Sequence, residues 1–220
     1  IIFLWIYHIR EKGSEKMKMR NSLKILASVL FSVFLISCTQ QNSNTSGGDK
    51  KMTISSSGIV NGVIQDKYGK RGTQFTQNGM PNYSLPIKIE NAPEGTKTFA
   101  IFLEDKDAIP VAGFSWIHWV AANIKTTELE ENASLLRKDE FVQGRNSWSA
   151  SLLGNDALSV EESSMYGGMA PPNNEHTYEL TVYALSDKLD LKNGFYANEL
   201  FHAMDGKILG QATITGTYKN

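Results

Sequence analysis

Three predicted strands carry side chains that could bind a small polar ligand. His176 and Tyr178 open a run of β-branched and aromatic residues, which predicts a strand on which residues two apart share a face. His118 lies in a second predicted strand, and Asp105 ends a third. Imidazole and phenol groups can donate hydrogen bonds to an anion, and an imidazolium ring adds positive charge. The carboxylate could orient one ring or accept an ammonium group.

A glycine-rich turn at residues 166–172 (Tyr-Gly-Gly-Met-Ala-Pro-Pro) precedes the strand of His176. Two glycines allow the backbone to approach a ligand closely, and oriented N–H groups at such a turn can form an anion-binding nest. The same residues also suit an ordinary β-turn before a core strand, because His and Tyr are intermediate in their preference for burial. Both interpretations stay open on the residues alone.

Enzymatic alternatives use the same side chains. Two histidines together with Asp105 and Asp107 suit a transition metal, so a metal-dependent hydrolase is one alternative. However, the sequence has no close ligand spacing such as H-E-x-x-H. A serine hydrolase is disfavoured because there is no G-x-S-x-G motif, and no activated nucleophile is recognisable. We therefore predict a protein without catalytic activity, metal or cofactor.

The elements that position these residues are mostly strands. The segments 99–105 and 114–123 alternate with period two. Residues 126–140 are polar and acidic, which predicts a surface excursion, and a long loop runs from Gly144 to the glycine-rich turn. In the first segment, one predicted face consists of Phe99, Ile101, Leu103 and Asp105. In the second, one predicted face consists of Phe114, Trp116, His118 and Val120.

Further strands are predicted at 52–63, starting with Thr53-Ile54-Ser55, and at 85–90 and 208–218. One helix is predicted at 197–204, where apolar residues repeat at helical spacing and Gly206 follows at the position of a C-cap glycine. These elements predict a mainly β domain with a minor helix, in which sheets pack as a sandwich or a barrel.

Composition restricts the class of protein. The formal net charge of -1 gives no basic field that would recruit nucleic acid. A hydrophobic content of 41% is typical of a globular protein with one sizeable core. The single cysteine, Cys38, excludes an internal disulfide.

The N-terminal part of the chain predicts export. Residues 1–16 are interpreted as an upstream extension outside the fold, and residues 17–37 as a signal peptide with a basic start and a short apolar stretch. That segment ends in Leu-Ile-Ser-Cys, which resembles a bacterial lipobox, so Cys38 is predicted to be lipidated. Residues 38–51 are polar and predict a flexible tether. The folded domain is expected at 52–220, in the cell envelope and anchored to a membrane through Cys38.

Several motifs in one order resemble the phosphatidylethanolamine-binding protein family, also called Raf kinase inhibitor-like, in its bacterial branch. Residues 105–110 (Asp-Lys-Asp-Ala-Ile-Pro) resemble its D-P-D-A-P signature, and residues 116–120 (Trp-Ile-His-Trp-Val) its W-H-W-V strand. The glycine-rich turn with His176 and Tyr178 also matches. Departures are Lys106 in place of proline, an apparent insertion of Ile109, and about a dozen extra residues around 149–164.

The resemblance implies a large antiparallel β-sandwich with an anion-binding pocket near a C-terminal helix. It implies non-enzymatic binding of a phosphate-type anion or a phospholipid head group such as phosphoethanolamine. An inhibitor or interaction protein acting on an envelope enzyme such as a protease is the alternative, and a homodimer is left open. The ligand-binding residues that it implies are Asp105, Asp107, Pro110, Trp116, His118, Gly168, Ala170, Pro172, His176 and Tyr178.

Overall fold

A computed structural model describes residues 50–220. The predicted lipidation site at Cys38, the upstream extension, the signal segment and the tether up to residue 49 lie outside the described residues. Within 50–220, no helix is long and apolar enough to cross a bilayer. The strands are β1 (Thr53–Ser55), β2 (Ile59–Val60), β3 (Val63–Ile64), β4 (Ile87–Glu90), β5 (Thr98–Asp105), β6 (Trp116–Ile124), β7 (Glu128–Leu129), β8 (Val142–Gln143), β9 (His176–Leu185) and β10 (Ile208–Tyr218).

Helical segments are short and lie in the connections between strands. The 3-10 turns at Asp66–Tyr68, Ser147–Ser149 and Ser151–Asp156 are accompanied by four α-helices. The helices are α1 (Ile109–Ala112), α2 (Ala133–Leu136), α3 (Val160–Ser163) and α4 (Ala197–Met204).

The strands form two sheets. The small sheet has the order β1-β4-β7, and the large sheet has the order β2-β3-β10-β9-β5-β6-β8. All strand pairs are antiparallel except β10 with β3, which meet in parallel at a single residue pair. The predicted fold class, a mainly β antiparallel sandwich, is confirmed.

The large sheet is covered on both faces. On one face, Ile101 and Leu180 pack with Ile87 of the small sheet in the main core. On the other face, Ala100 packs in a second cluster with Leu200 of α4. Because β5 is buried on both sides over most of its length, residues 99–103 form a continuous apolar run.

Helix α4 has the bounds that the helical spacing predicts. The Glu199 carboxylate accepts a hydrogen bond from the N–H of Tyr196 at 2.7 Å, which caps the first turn. Gly206 follows the helix with a φ of 69°, a left-handed conformation that favours glycine. The helix is followed by β10, so a strand closes the chain after it.

The sequence pattern placed Val120 on the same face of β6 as His118, and this prediction is wrong. The pairing of β5 with β6 shifts by one residue at His118, which is a β-bulge. Val120 therefore packs in the second cluster beside α4, whereas the ring of His118 contacts Tyr178. A bulge reverses the alternation of a strand, and the apolar pattern carries no sign of it.

The surface excursion predicted at 126–140 is also partly wrong. This segment contains β7 and α2, and it buries Leu129, Ala133 and Ser134. The Ser134 hydroxyl accepts from the N–H of Tyr166 at 2.9 Å and donates to the amide of Gln143 at 2.7 Å. Polar residues here are internal because their hydrogen bonds are satisfied by neighbouring elements.

Candidate functional site

A cavity of about 310 Å³ opens where β5 ends and β6 begins. Helix α1 and the glycine-rich turn form two of its sides. The lining side chains are mainly apolar, with one imidazole and one carboxylate, and they belong to Asp105, Ala108, Val111, Ala112, Trp116, His118, Trp148, Ala170 and Pro172.

Asp105 ends β5 and organises one wall. One carboxylate oxygen accepts from the backbone N–H of Ala108 at 3.1 Å, which starts the turn into α1. The other oxygen lies 2.7 Å from Nδ1 of His176. Both side chains are buried, and Nε2 of His176 lies 2.8 Å from Oδ1 of Asn173. Asp105 therefore orients His176, which is one of the roles that the sequence left open for it.

His118 sits in the opposite wall with a different environment. Its Nδ1 lies 2.8 Å from the carbonyl oxygen of Gly167, so Nδ1 carries the proton and Nε2 of the neutral ring is an acceptor. Burial lowers the pKa of His118 to about 4, and the hydrogen bond to Gly167 only partly opposes this shift. The ring is therefore neutral near pH 7, which corrects the expectation that it contributes imidazolium charge.

Tyr178 stands between these two walls. It is directly opposite Asp105 in the β5–β9 pairing, and its ring meets His118 edge-on at 5.1 Å. Within residues 50–220 its buried hydroxyl has no hydrogen-bond partner. Burial raises the pKa of this phenol, and the negative charge of Asp105 raises it further. The hydroxyl is thus a neutral donor with no well-formed hydrogen bond among the described residues, although the Asp105 carboxylate is close enough to act as a competing acceptor and contributes to the raised pKa.

The glycine-rich turn does not present a nest of free donors. The N–H groups of Gly167, Gly168 and Met169 donate to the carbonyl oxygens of His118, Pro81 and Tyr68 at 2.8, 2.6 and 3.3 Å. Glycine is required there for packing, because a Cβ on Gly168 would lie 2.5 Å from the Tyr68 carbonyl oxygen. Its role here is therefore close backbone contact, and the predicted nest is wrong at these three groups.

The ten predicted site residues fall into three groups. Asp105, Trp116, His118, Ala170 and Pro172 line the cavity. Behind them, Gly168, His176 and Tyr178 support the wall. Asp107 and Pro110 do neither: the exposed Asp107 accepts from the N–H of Thr177 at 2.8 Å, and Pro110 occupies the exposed first turn of α1.

Sequence reasoning missed four lining residues, namely Ala108, Val111, Ala112 and Trp148. The first three belong to the α1 turn, whose apolar run carried no chemical signal. Trp148 packs edge-on against Trp116 and His118, with ring centroids 5.3 Å apart in each case. A tryptophan in this long loop was the available signal for it. Among residues 50–220 there is no group of three or more His, Cys, Asp or Glu side chains that could hold a metal ion.

Comparisons with known proteins agree on one family. Residues 55–219 match the family described as Phosphatidylethanolamine-binding protein. The uncharacterised protein YxkA of Bacillus subtilis is 45% identical over 159 residues, which cover 70% of this chain and 93% of that protein. A UPF0098 protein of Methanothermobacter thermautotrophicus is 33% identical over 155 residues, covering 69% and 91%.

Two solved structures are similar to the fold. A putative phosphatidylethanolamine-binding protein homolog, CT736 of Chlamydia trachomatis, has a TM-score of 0.62 at 26% identity and covers 77% of this chain and 98% of its own. YbcL of E. coli, described as a new member of the mammalian family of these proteins, has a TM-score of 0.60 at 25% identity, covering 78% and 99%.

Proposed function

Because the chain belongs to the phosphatidylethanolamine-binding protein family, we propose that its cavity binds a phosphate-type oxyanion, either free or as a head group, without converting it. The observation that carries this proposal is the buried Tyr178 hydroxyl, which has no partner among the described residues and lies beside the cavity-lining His118. A buried donor without a partner is costly. Tyr178 stands behind the lining residues but contacts His118, so an oxyanion held at His118 is the proposed acceptor for this hydroxyl.

The rings of Tyr178 and His118 together favour a protonated oxyanion. Tyr178 donates, whereas Nε2 of the neutral His118 accepts, so the ligand needs both an oxygen acceptor and a P–OH donor. A phosphate monoester carries such a proton below its second pKa of about 6. Affinity should therefore be highest in mildly acidic solution and decrease as the pH rises through that value.

Sulfate is the matched control, because it has a similar shape but no proton at this pH. A site built to receive a hydrogen bond rejects an analogue that lacks the donor. Isothermal titration at pH 5.5 and pH 8 with inorganic phosphate, phosphoethanolamine and sulfate tests this. We expect both phosphates to bind more tightly at pH 5.5 than at pH 8. Sulfate should bind at least about tenfold more weakly than phosphate, and Tyr178→Phe should weaken the binding of phosphate.

Three outcomes would count against this function. Absence of binding by both phosphates would reject it altogether. Equal affinity for sulfate and phosphate would remove His118 as an acceptor. Hydrolysis of phosphomonoesters or carboxylic esters that is lost in His118→Gln would show that the site is catalytic rather than a binding site.

We further propose that the domain acts at a membrane of the cell envelope, anchored through Cys38. The support is the basic start, the short apolar segment and the unique cysteine at the end of a lipobox-like sequence. Stable anchoring requires two or more lipid signals, which lipoprotein processing at cysteine supplies. Cys38→Ala should move the protein out of the membrane fraction or block its processing, and unchanged membrane partitioning would reject the anchor.

A further inference from the structure

A three-residue segment at the end of the glycine-rich turn connects both walls of the cavity. This segment, residues 171–173, is called here the wall loop. Pro172 lines the cavity, and the side chain of Asn173 lies 2.8 Å from Nε2 of His176. Any shift of the wall loop would therefore change both the shape of the cavity and the orientation of His176.

All three consecutive carbonyl oxygens of the wall loop accept hydrogen bonds from two distant side chains. The Lys70 ammonium donates to the carbonyl oxygen of Pro171 at 2.7 Å. The amide of Asn220 donates to the carbonyl oxygens of Pro172 and Asn173 at 3.3 and 2.9 Å. Pro171 and Pro172 have no N–H group. The only backbone hydrogen bonds available at these two positions are therefore those that their carbonyl oxygens accept.

The two side chains are also joined to each other. The Lys70 ammonium donates to the side-chain oxygen of Asn220. The backbone N–H of Lys70 donates to the Met169 carbonyl oxygen at 2.8 Å. Arg71 donates to the backbone oxygen of Asn220 at 3.0 Å. Lys70 and Asn220 thus form one hydrogen-bonded unit between the loop after β3 and the end of the chain segment that follows β10.

We propose that Lys70 and Asn220 are positioning residues for the ligand cavity. They hold the wall loop so that Pro172 closes one side of the cavity and Asn173 meets His176. Neither residue lines the cavity, so their effect on a ligand passes through the loop. The effect on affinity rests on the proposed function, whereas the effect on His176 does not.

The first measurement therefore uses the protein without ligand. The ring nitrogen and proton resonances of His176 are recorded by NMR for Lys70→Met and Asn220→Ala, with the exposed His202 as an internal reference. Lys67→Met is the matched control, because that ammonium binds Glu131 at 2.6 Å instead of the wall loop. We expect the His176 resonances to shift in the first two variants, to stay in place in Lys67→Met, and to return in Lys70→Arg.

The second measurement is the affinity for inorganic phosphate at pH 5.5. Lys70→Met and Asn220→Ala should each bind about tenfold more weakly, which corresponds to the loss of one or two hydrogen bonds. The double variant should be no weaker than the single variants, because residues in one network are not additive. Unchanged His176 resonances in both variants would overturn the proposal. If wild-type protein binds no phosphate, the proposed function fails, while the His176 spectra still decide the positioning role.

Discussion

The two histidines of the cavity wall are equally buried, with 3% of His176 and 2% of His118 exposed, yet their surroundings differ. His176 lies between the carboxylate of Asp105 and the amide of Asn173, and both ring nitrogens have partners. His118 has one backbone carbonyl partner at Nδ1 and a neighbouring phenol whose hydroxyl has no partner within residues 50–220.

This difference separates groups whose hydrogen bonds the protein completes from groups that remain available to the proposed ligand. On the Asp105 side, the protein itself completes the hydrogen bonds of the His176 ring. Between the two walls, the Tyr178 hydroxyl has no well-formed hydrogen bond within residues 50–220, and an unsatisfied buried donor costs about 1–3 kcal/mol. The proposed ligand, if it accepts from Tyr178, would offset that cost. Variants of Asp105 and of His118 test the two walls separately.

The largest effect is expected on the Asp105 side. Asp105→Ala removes the acceptor of both the His176 ring and the Ala108 N–H. Removing one partner of a buried pair costs about 3–5 kcal/mol, and urea unfolding at pH 7.5 measures it. Asp105→Asn retains an acceptor oxygen and should lose less. A loss below about 1 kcal/mol for the alanine variant would show that this wall is not the structural one.

The next effect concerns the pH dependence of stability on the His118 side. The folded pKa is about 4, against 6.5 in the unfolded chain, so between these values only the unfolded chain takes up the proton. The free energy of unfolding should therefore fall as the pH is lowered from 6.5 to 4, by about 3 kcal/mol. His118→Gln should lose this component, so the difference between the two proteins isolates it. Parallel curves would refute the buried neutral ring.

A pair of tyrosines gives effects of opposite sign. Tyr178→Phe removes a hydroxyl that has no described partner, so stability should be unchanged or rise by up to about 1 kcal/mol. Tyr166→Phe removes a hydroxyl that donates to the Tyr68 carbonyl oxygen at 2.7 Å, and stability should fall by about 1–2 kcal/mol. Thermal unfolding compares both with wild type. Destabilisation by Tyr178→Phe would mean that its hydroxyl is already bonded in the free protein.

The smallest effect is expected at Asp107, the second acid of the family-like motif. Its exposed carboxylate accepts from the Thr177 N–H, and an asparagine oxygen can accept the same bond. Asp107→Asn should change stability by less than about 0.5 kcal/mol and leave phosphate affinity unaltered. A tenfold loss of affinity would place Asp107 in the binding site and extend the ligand beyond the cavity.

Local sequence patterns predicted the elements well where burial and periodicity agree. In β5 the period of two placed Asp105 at the end of the buried face, and in β9 it placed His176 and Tyr178 on the face of Leu180. Helix α4 was found from its apolar spacing and its following glycine. In these segments the polarity of each residue matches its burial, so the alternation along the chain is sufficient to reveal the pattern.

Long-range contacts decided the chemistry of the site. The bulge at His118, the use of the glycine N–H groups by Pro81 and Tyr68, and the tie from Lys70 and Asn220 to the wall loop all join segments far apart in the chain. The same holds for protonation: burial among distant residues keeps His118 neutral, although its residue type alone suggested a charged ring. Strand periodicity depends on adjacent residues, whereas hydrogen-bond partners and desolvation depend on which segments the fold brings together.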